Sequence, residues 1–224
     1  MNLQNLEQFN YKNFSVLVRP DTSDSFVVKE VLSGEYRKLC LQKHDIVLDL
    51  GSNIGMFALY ANDKAKQIIC FEPELDNYNL SLQNLKLNNI NNVIVVNAAV
   101  VGNDDKQRNF SINTKKNKGA HSLVSKRGRD TTVVQCENIN TIIDTYNPTC
   151  IKMDVEGGEY EILPAIKDWT NINQIILEFH HAHLNDTTKE KFHEILELLS
   201  NIFTTVNFRK DPKGAWVSII YCSR

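Results

Sequence analysis

From Asp45 onward the chain alternates short apolar runs with segments of helical period. That rhythm constrains the fold more than any other feature. The apolar runs are IVLDL (46–50), QIICF (67–71), VIVVNAAV from Val93, CIKMD (150–154) and QIILEFH (174–180). Each is short enough for one strand. Between them, Ile54, Phe57, Ala58 and Ala61 repeat at i, i+3, i+4, i+7, and Leu75, Tyr78, Leu82 and Leu85 mark a second helix. TVVQCENI reads as a strand and NINTIIDTY as a short helix. GGEYEILPAI opens another helix, and Phe192, Ile195, Leu196 and Leu199 trace the last. The segments IFTTVNF, RKDPKG and AWVSIIYC read as a closing hairpin. Strands that alternate with helices imply an α/β fold on a mostly parallel sheet.

Before this core, FSVLVRP and SFVVKEVL are short alternating runs joined by the turn-rich DTSDS. Residues 1–44 therefore read as a lead-in of strands or helix packed on a core of residues 45–224. Within that core, residues 102–130 are polar, Gly-punctuated and basic. They read as a hairpin or a long loop, a class of segment that often serves function.

Composition narrows the function classes. A chain of 224 residues is one large domain by default. A mean hydropathy of −0.32 and the lack of a long apolar run argue against a spanning helix. The segment MNLQNLEQFNYKNF lacks the basic and apolar regions of an export signal. Net charge is −2, so a whole-surface basic footprint for nucleic acid is missing. A basic cluster in the long loop, Lys115, Lys116, Lys118, Lys126, Arg127 and Arg129, reads first as a solvated loop. Five cysteines without a C-x-x-C pair suggest neither a disulfide framework nor a zinc knuckle. The expected location is a reducing cytoplasm.

In sheets of this kind ligands bind beyond the carboxyl ends of the strands. The first end reads VLDLGSNIGMFALY. Gly51 and Gly55 frame a tight turn, and the helix start near Ser52 and Asn53 offers N–H groups to an anion. The spacing is not that of the dinucleotide fingerprint. Asp49, inside the strand, needs partners if buried, and loop N–H groups or a ligand ammonium would supply them. At the second end, Glu72 follows the glycine turn at about the spacing where an acid meets ribose hydroxyls. At the third, Asn97 and the small Ala98 offer a place for a flat purine. The fourth gathers Asp154, Glu156, Glu159 and Glu161 around Gly157 and Gly158, and a helix start accounts for Glu156 and Glu159 better than for Asp154. The fifth brings together Glu178, His180, His181 and His183.

With these residues assembled, the chain resembles the FkbM-type family of S-adenosylmethionine-dependent methyltransferases. The matching stretches are VLDLGSNIGMFALY, FEPELDNYNLSLQNLKLNN with VIVVNAAV, and IKMDVEGGEYEIL. GAHSL, in the long loop, looks like a family element that closes over the site. The resemblance implies a Rossmann-like class I fold, with a mostly parallel seven-stranded sheet and an antiparallel C-terminal hairpin. It implies S-adenosyl-L-methionine as cofactor. Gly51, Ser52, Asn53 and Gly55 would hold its methionine moiety, with Asp49 in support. Glu72 would bind the ribose, and Asn97 and Ala98 would border the adenine. Family members commonly methylate hydroxyl oxygens on sugars or natural products, so a small molecule or glycan is the expected partner.

For a hydroxyl acceptor, His180 or His181 is expected as base, with Asp154 orienting the acceptor. Alternation along a strand sends the two histidines to opposite faces. No metal is assigned. A second mechanism would have Asp154, Glu178 and one histidine hold a divalent cation that acidifies the hydroxyl. The alternatives are a non-catalytic S-adenosylmethionine- or NAD-binding Rossmann-like protein, or a methyltransferase acting on RNA or another non-sugar acceptor.

Overall fold

Apolar residues on both sides of a strand leave no polar face to show, and the central strands here are buried in that way. A computed structural model describes residues 6–11, 13–34, 36–112, 121–123, 130–181, 188–210 and 217–224. The lead-in comprises β1 (Glu7–Tyr11), β2 (Phe14–Val18) and α1 (Asp24–Ser33), with β1 and β2 antiparallel. SFVVKEVL, which alternates like a strand, is helical. Asp24 opens the helix as a buried carboxylate gripped by Arg19 through Nε and Nη2, both at 2.8 Å. Val28 and Val31 face the core, and Gly34 ends the helix at φ 98°.

Then follow β3 (Ile46–Leu50), α2 (Met56–Ala61), β4 (Gln67–Phe71), α3 (Leu75–Leu87) and β5 (Val93–Val96). Next come β6 (Ala99–Val101), β7 (Gln107–Ile112), β8 (Asp130–Asn138) and α4 (Ile139–Tyr146). The chain ends with β9 (Cys150–Met153), α5 (Glu159–Ala165), β10 (Gln174–His180), α6 (Thr188–Ile202), β11 (Thr205–Lys210) and β12 (Val217–Ser223). The principal sheet has seven strands in the order β11-β12-β10-β9-β3-β4-β5. Its pairings are parallel except those of β12, which runs antiparallel to β10 and β11. One face carries Leu48, Leu50, Ile151 and Leu177 against Ile162, Leu163, Ile195 and Leu199. The other carries Val47, Ile68, Cys150 and Ile176 against Phe57, Ala58, Leu80 and Val31. The result is a three-layer α/β/α core.

The outer edge of β2 is closed by side chains rather than by a strand. Asn84 accepts from Leu17 N (2.7 Å) and donates to Leu17 O (3.2 Å). One helical turn on, Asn88 accepts from Ser15 N (2.7 Å) and donates to Ser15 O (2.6 Å). Two amides four residues apart, Asn84 in α3 and Asn88 capping its end, thus meet the edge groups of a strand at i and i+2.

VIVVNAAV is not one strand. Asn97 donates to Glu72 O (2.8 Å) and Pro73 O (3.1 Å), and Ala98 N returns to Val96 O (3.0 Å). The chain leaves the principal sheet there, and β6 joins a second sheet of order β6-β8-β7. At the two ends of the 102–130 stretch, Gln107–Ile112 of β7 pairs antiparallel with β8 from Asp130. Arg108 pins this hairpin to α5 through two bonds to Glu161, at 2.6 and 2.7 Å. Ser111 and Ser122 exchange backbone bonds at 2.9 and 3.1 Å. These bring His121, Ser122 and Leu123 back over the sheet. The basic cluster of Lys115 to Arg129 and His183 lie outside the described residues. Among the described residues no helix is long and apolar enough to cross a membrane.

Candidate functional site

A cleft of about 570 Å³, counting the space that opens to solvent, lies over the carboxyl ends of β3, β4 and β9. Its centre is the turn after β3. Gly51 sits at φ 79°, and a Cβ there would stand 1.8 Å from the Asp154 carbonyl oxygen. Only glycine lets the loops after β3 and β9 approach so closely. Asn53, at φ 51°, turns its N–H onto Glu72 Oε2 (2.8 Å). The other Glu72 oxygen accepts from Glu74 N (2.8 Å). Glu72 is buried, and burial pushes its pKa from 4.5 up to about 7, while the two N–H bonds pull it back.

Beneath the turn lies an ion pair. Asp49 is fully buried, with Lys152 Nζ 3.1 Å from Oδ1 and Cys70 Sγ 3.7 Å from Oδ2. Lys152 stands opposite Asp49 in the β3–β9 register and also donates to Gly51 O (2.9 Å). Burial works against its charge, but Asp49 and Asp154 outweigh that and hold its pKa well above 10.5. Burial likewise raises Asp49, and Lys152 opposes the rise. The partner that Asp49 needed is therefore Lys152, in place of loop N–H groups or a ligand ammonium. Asp49 acts under the cleft, bracing Gly51 from below.

The second cluster stands where β9 and β10 end. Asp154 and Glu156 line the cleft. Glu156 is held at φ 51°, and among the described residues it is the one left-handed residue that is not Gly, Asn or Asp. Such strain in a long side chain costs about 1–3 kcal/mol and gathers at functional positions. His180 is buried, with Nδ1 3.0 Å from Oε1 of the fully buried Glu159. Its Nε2 is 3.6 Å from Glu156 Oε2 and 3.8 Å from Asp154 Oδ1. Burial opposes a charge on the ring, but Glu159, Glu156 and Asp154 outweigh it and raise the imidazole pKa well above 6.5. That direction favours the protonated ring and makes His180 a poor choice of proton acceptor. His181 points the other way. Its Nε2 is 2.8 Å from Ser218 Oγ, and its ring packs on Phe179 and Phe192, with centroids at 5.2 and 4.8 Å.

Of the residues singled out in the sequence, the cleft gathers Gly51, Asn53, Glu72, Ala98 and Asp154 along its walls. Ser52, Gly55 and Asn97 stand behind them. Ser52 is buried, Gly55 packs against Ser81, and Asn97 spends its amide on the backbone after β4. Three lining residues come from the hairpin segment: Phe110, His121 and Leu123. Phe110 was overlooked, although it is the lone Phe, Tyr or Trp among residues 102–130, which was signal enough. Ser122 Oγ donates to Glu156 O (2.7 Å), so the GAHSL segment touches the strained residue itself.

Known proteins resemble this chain over most of its length. The family profile described as the methyltransferase FkbM domain matches residues 49–209. Methyltransferase sdnD of Sordaria araneosa is 25% identical over 192 residues, covering 68% of this chain and 73% of its own. Methyltransferase 1 of Beauveria bassiana is 24% identical over 194 residues, covering 74% and 78%. Among solved structures, methyltransferase FkbM from Methylobacillus flagellatus has 19% identity and a TM-score of 0.53, covering 84% of this chain and 45% of that one. M. jannaschii TYW2, in complex with AdoMet, has 12% identity and a TM-score of 0.55, covering 99% and 87%. At these identities the structural likeness shows the fold, which is the Rossmann-like class I methyltransferase fold.

Proposed function

The chain belongs to the FkbM methyltransferase family, and from that premise we propose that it methylates a hydroxyl oxygen on a sugar, glycan or other natural product. The cofactor is S-adenosylmethionine. When bound it supplies a sulfonium methyl group, whose bond to sulfur breaks as the acceptor oxygen bonds to carbon, the electron pair staying on sulfur.

The residues present fit that cofactor. Glu72 offers a buried carboxylate whose oxygens, each already holding one N–H, retain lone pairs for two vicinal ribose hydroxyls. Ala98, Val100, Phe110 and Leu123 form an apolar wall beside it, suited to a purine face. The Gly51 turn leaves backbone where a side chain would fill the cleft. Asp154 and Glu156 also line the cleft, and we assign that part of it to the acceptor. Their carboxylates receive the hydroxyl proton. His180 turns Nε2 toward both carboxylates and holds them in place, so it is a positioning residue. His181 has no part in the chemistry. The five cysteines are all free thiols, which supports a reducing, cytoplasmic setting.

The observation that carries this reading is the presence, in one cleft, of a buried ribose-type carboxylate and a strained acidic loop. The test is methyl transfer from methyl-labelled S-adenosylmethionine to a panel of sugars, glycans and hydroxylated natural products, with RNA alongside. Label on hydroxyl oxygens supports it. Label on RNA alone, or on nitrogen or carbon acceptors alone, would replace it.

A further inference from the structure

Glu178 and His180 are two residues apart on β10 and therefore share one face of the sheet. The parallel register pairs Leu177 with Met153, so Asp154 comes level with Glu178 just beyond the end of β9. Two carboxylates and an imidazole thus converge from adjacent strands. Their donor atoms all lie within 4.8 Å of one another, and His180 Nε2 is 3.8 Å from Asp154 Oδ1. Ligands bound ~2.1 Å from one ion stand about 3–4 Å apart, so closing this set takes side-chain movement of about 1 Å.

The surroundings are those of a ligand set already aimed. Glu159, fully buried, receives Nδ1 of His180 at 3.0 Å and also accepts from Val155 N at 3.3 Å. That bond fixes the ring so that Nε2 points toward Asp154 and Glu156. A carboxylate behind an imidazole whose far nitrogen faces further carboxylates is the arrangement that orients histidine ligands on metals. Tyr36 OH holds Glu178 Oε1 at 3.3 Å. The charge is unbalanced as well. Asp154, Glu156, Glu159 and Glu178 crowd one corner, the nearby Lys152 is already paired with Asp49, and the His180 ring, even when protonated, offsets one of the four charges.

We propose that Asp154, Glu178 and His180 form a binding site for a divalent cation of the Mn²⁺, Fe²⁺ or Zn²⁺ class, to which a mixed nitrogen and oxygen donor set is suited, the ion displacing the proton from His180 Nε2 to solvent as it binds. Asp154 is the member that also lines the cleft, so an ion here borders the acceptor side. This deepens the hydroxyl-methylation reading and rests on it. The ion binds the acceptor oxygen and acidifies its hydroxyl. With Asp154 engaged on the metal, Glu156 takes the proton as the oxygen–methyl bond forms.

The test uses the full-length protein, stripped with chelator and titrated with MnCl₂, with binding followed by electron paramagnetic resonance and calorimetry. One Mn²⁺ per chain is expected, with modulation from an imidazole nitrogen in the spin-echo signal. Glu178→Gln and His180→Asn each alter a direct ligand and should weaken Mn²⁺ by at least the ~10–100-fold that loss of a partner behind a ligand brings, while His181→Ala leaves it unchanged. The proposal is overturned if the wild type binds no Mn²⁺ at about 1 mM, if bound Mn²⁺ carries no nitrogen coupling, or if folded Glu178→Gln binds as tightly as wild type. The nitrogen coupling is read on the wild type, so a variant that fails to fold decides nothing by itself. S-adenosylhomocysteine binding, measured on the same samples, separates the two readings. Retained nucleoside binding without Mn²⁺ sinks only the metal site, and loss of both sinks the methyltransferase assignment of this cleft too.

Discussion

Replacing Glu72 by Gln probes the centre of the cleft. Each Glu72 oxygen accepts one backbone N–H at 2.8 Å, from Asn53 and Glu74. Glutamine keeps one acceptor and sets an NH₂ where the other stood, so one buried N–H loses its partner at about 1–3 kcal/mol. Against this stands the charge. Burial raises Glu72 from 4.5 to about 7, and at ~1.4 kcal/mol for each tenfold change in acidity, ionising it in the fold costs about 3 kcal/mol. The folded value lies above the unfolded one, so the folded protein holds this proton more tightly. That stability is fully present below pH 4.5 and is lost as pH rises through about 7. The variant has no charge to bury and escapes the loss. Urea denaturation should find Glu72→Gln less stable than wild type near pH 5 by ~1–3 kcal/mol, and equal or more stable near pH 8. Ribose hydroxyls favour the ionised carboxylate, so nucleoside binding below pH 7 must expel the proton. Occupancy of a site titrating near 7 is ~0.9 at pH 6 and ~0.1 at pH 8, and affinity should rise about tenfold across that range. Calorimetry of S-adenosylhomocysteine in buffers of different ionisation heat reads the proton release directly. Flat wild-type affinity with no proton release would refute the ribose role. So would an identical pH dependence in Glu72→Gln, which would trace it to the amine of the ligand.

Gly51→Ala places a Cβ 1.8 Å from the Asp154 carbonyl at a positive φ, and should cost ~2–5 kcal/mol by strain and overpacking, with nucleoside binding lost; unchanged melting and affinity would mean the two loops are not held together. Asn84→Ala strips partners from Leu17 N, Leu17 O and Ile54 O, and should lower stability by about 2–4 kcal/mol in denaturant; a loss under half of that would show that water replaces the amide. His181→Ala should lower the melting temperature through its lost contacts with Phe179 and Phe192, worth about 0.5–1.5 kcal/mol for each ring pair. Turnover and S-adenosylhomocysteine affinity should stay within about threefold, under ~1 kcal/mol, and a larger loss in either would return His181 to the site.

The strands that build the principal sheet were legible because their burial on both faces leaves bare apolar runs. The cleft was legible where function sits on those runs' ends, as at Gly51, Glu72 and Asp154. What escaped was whatever depends on a partner far along the chain. Asp49 could be recognised as an acid needing company, but Lys152 lies on a strand that a single sequence does not align beside it. Alternation along β10 separated His180 from His181, yet which one met the acidic cluster depended on Glu159 and Ser218. The helix over SFVVKEVL hides behind β-branched residues, whose preference was overridden by the Arg19–Asp24 grip and by Val28 and Val31 packing on the core. The break in VIVVNAAV hangs on Asn97 reaching back to the carbonyls of Glu72 and Pro73. An asparagine in an apolar run was the visible trace of that turn.

The asparagine clasp on β2 also sets a timetable. Leu17 and Asn84 are 67 residues apart, and a ribosome adding ~5–20 residues per second needs about 3–13 s to bridge that gap. Through that interval the first hairpin emerges with its outer edge bare, and a two-stranded hairpin alone is marginally stable. The hairpin is made before the helix that secures it. On a crowded polysome, neighbouring nascent chains present the same open edge to one another before α3 arrives to close it.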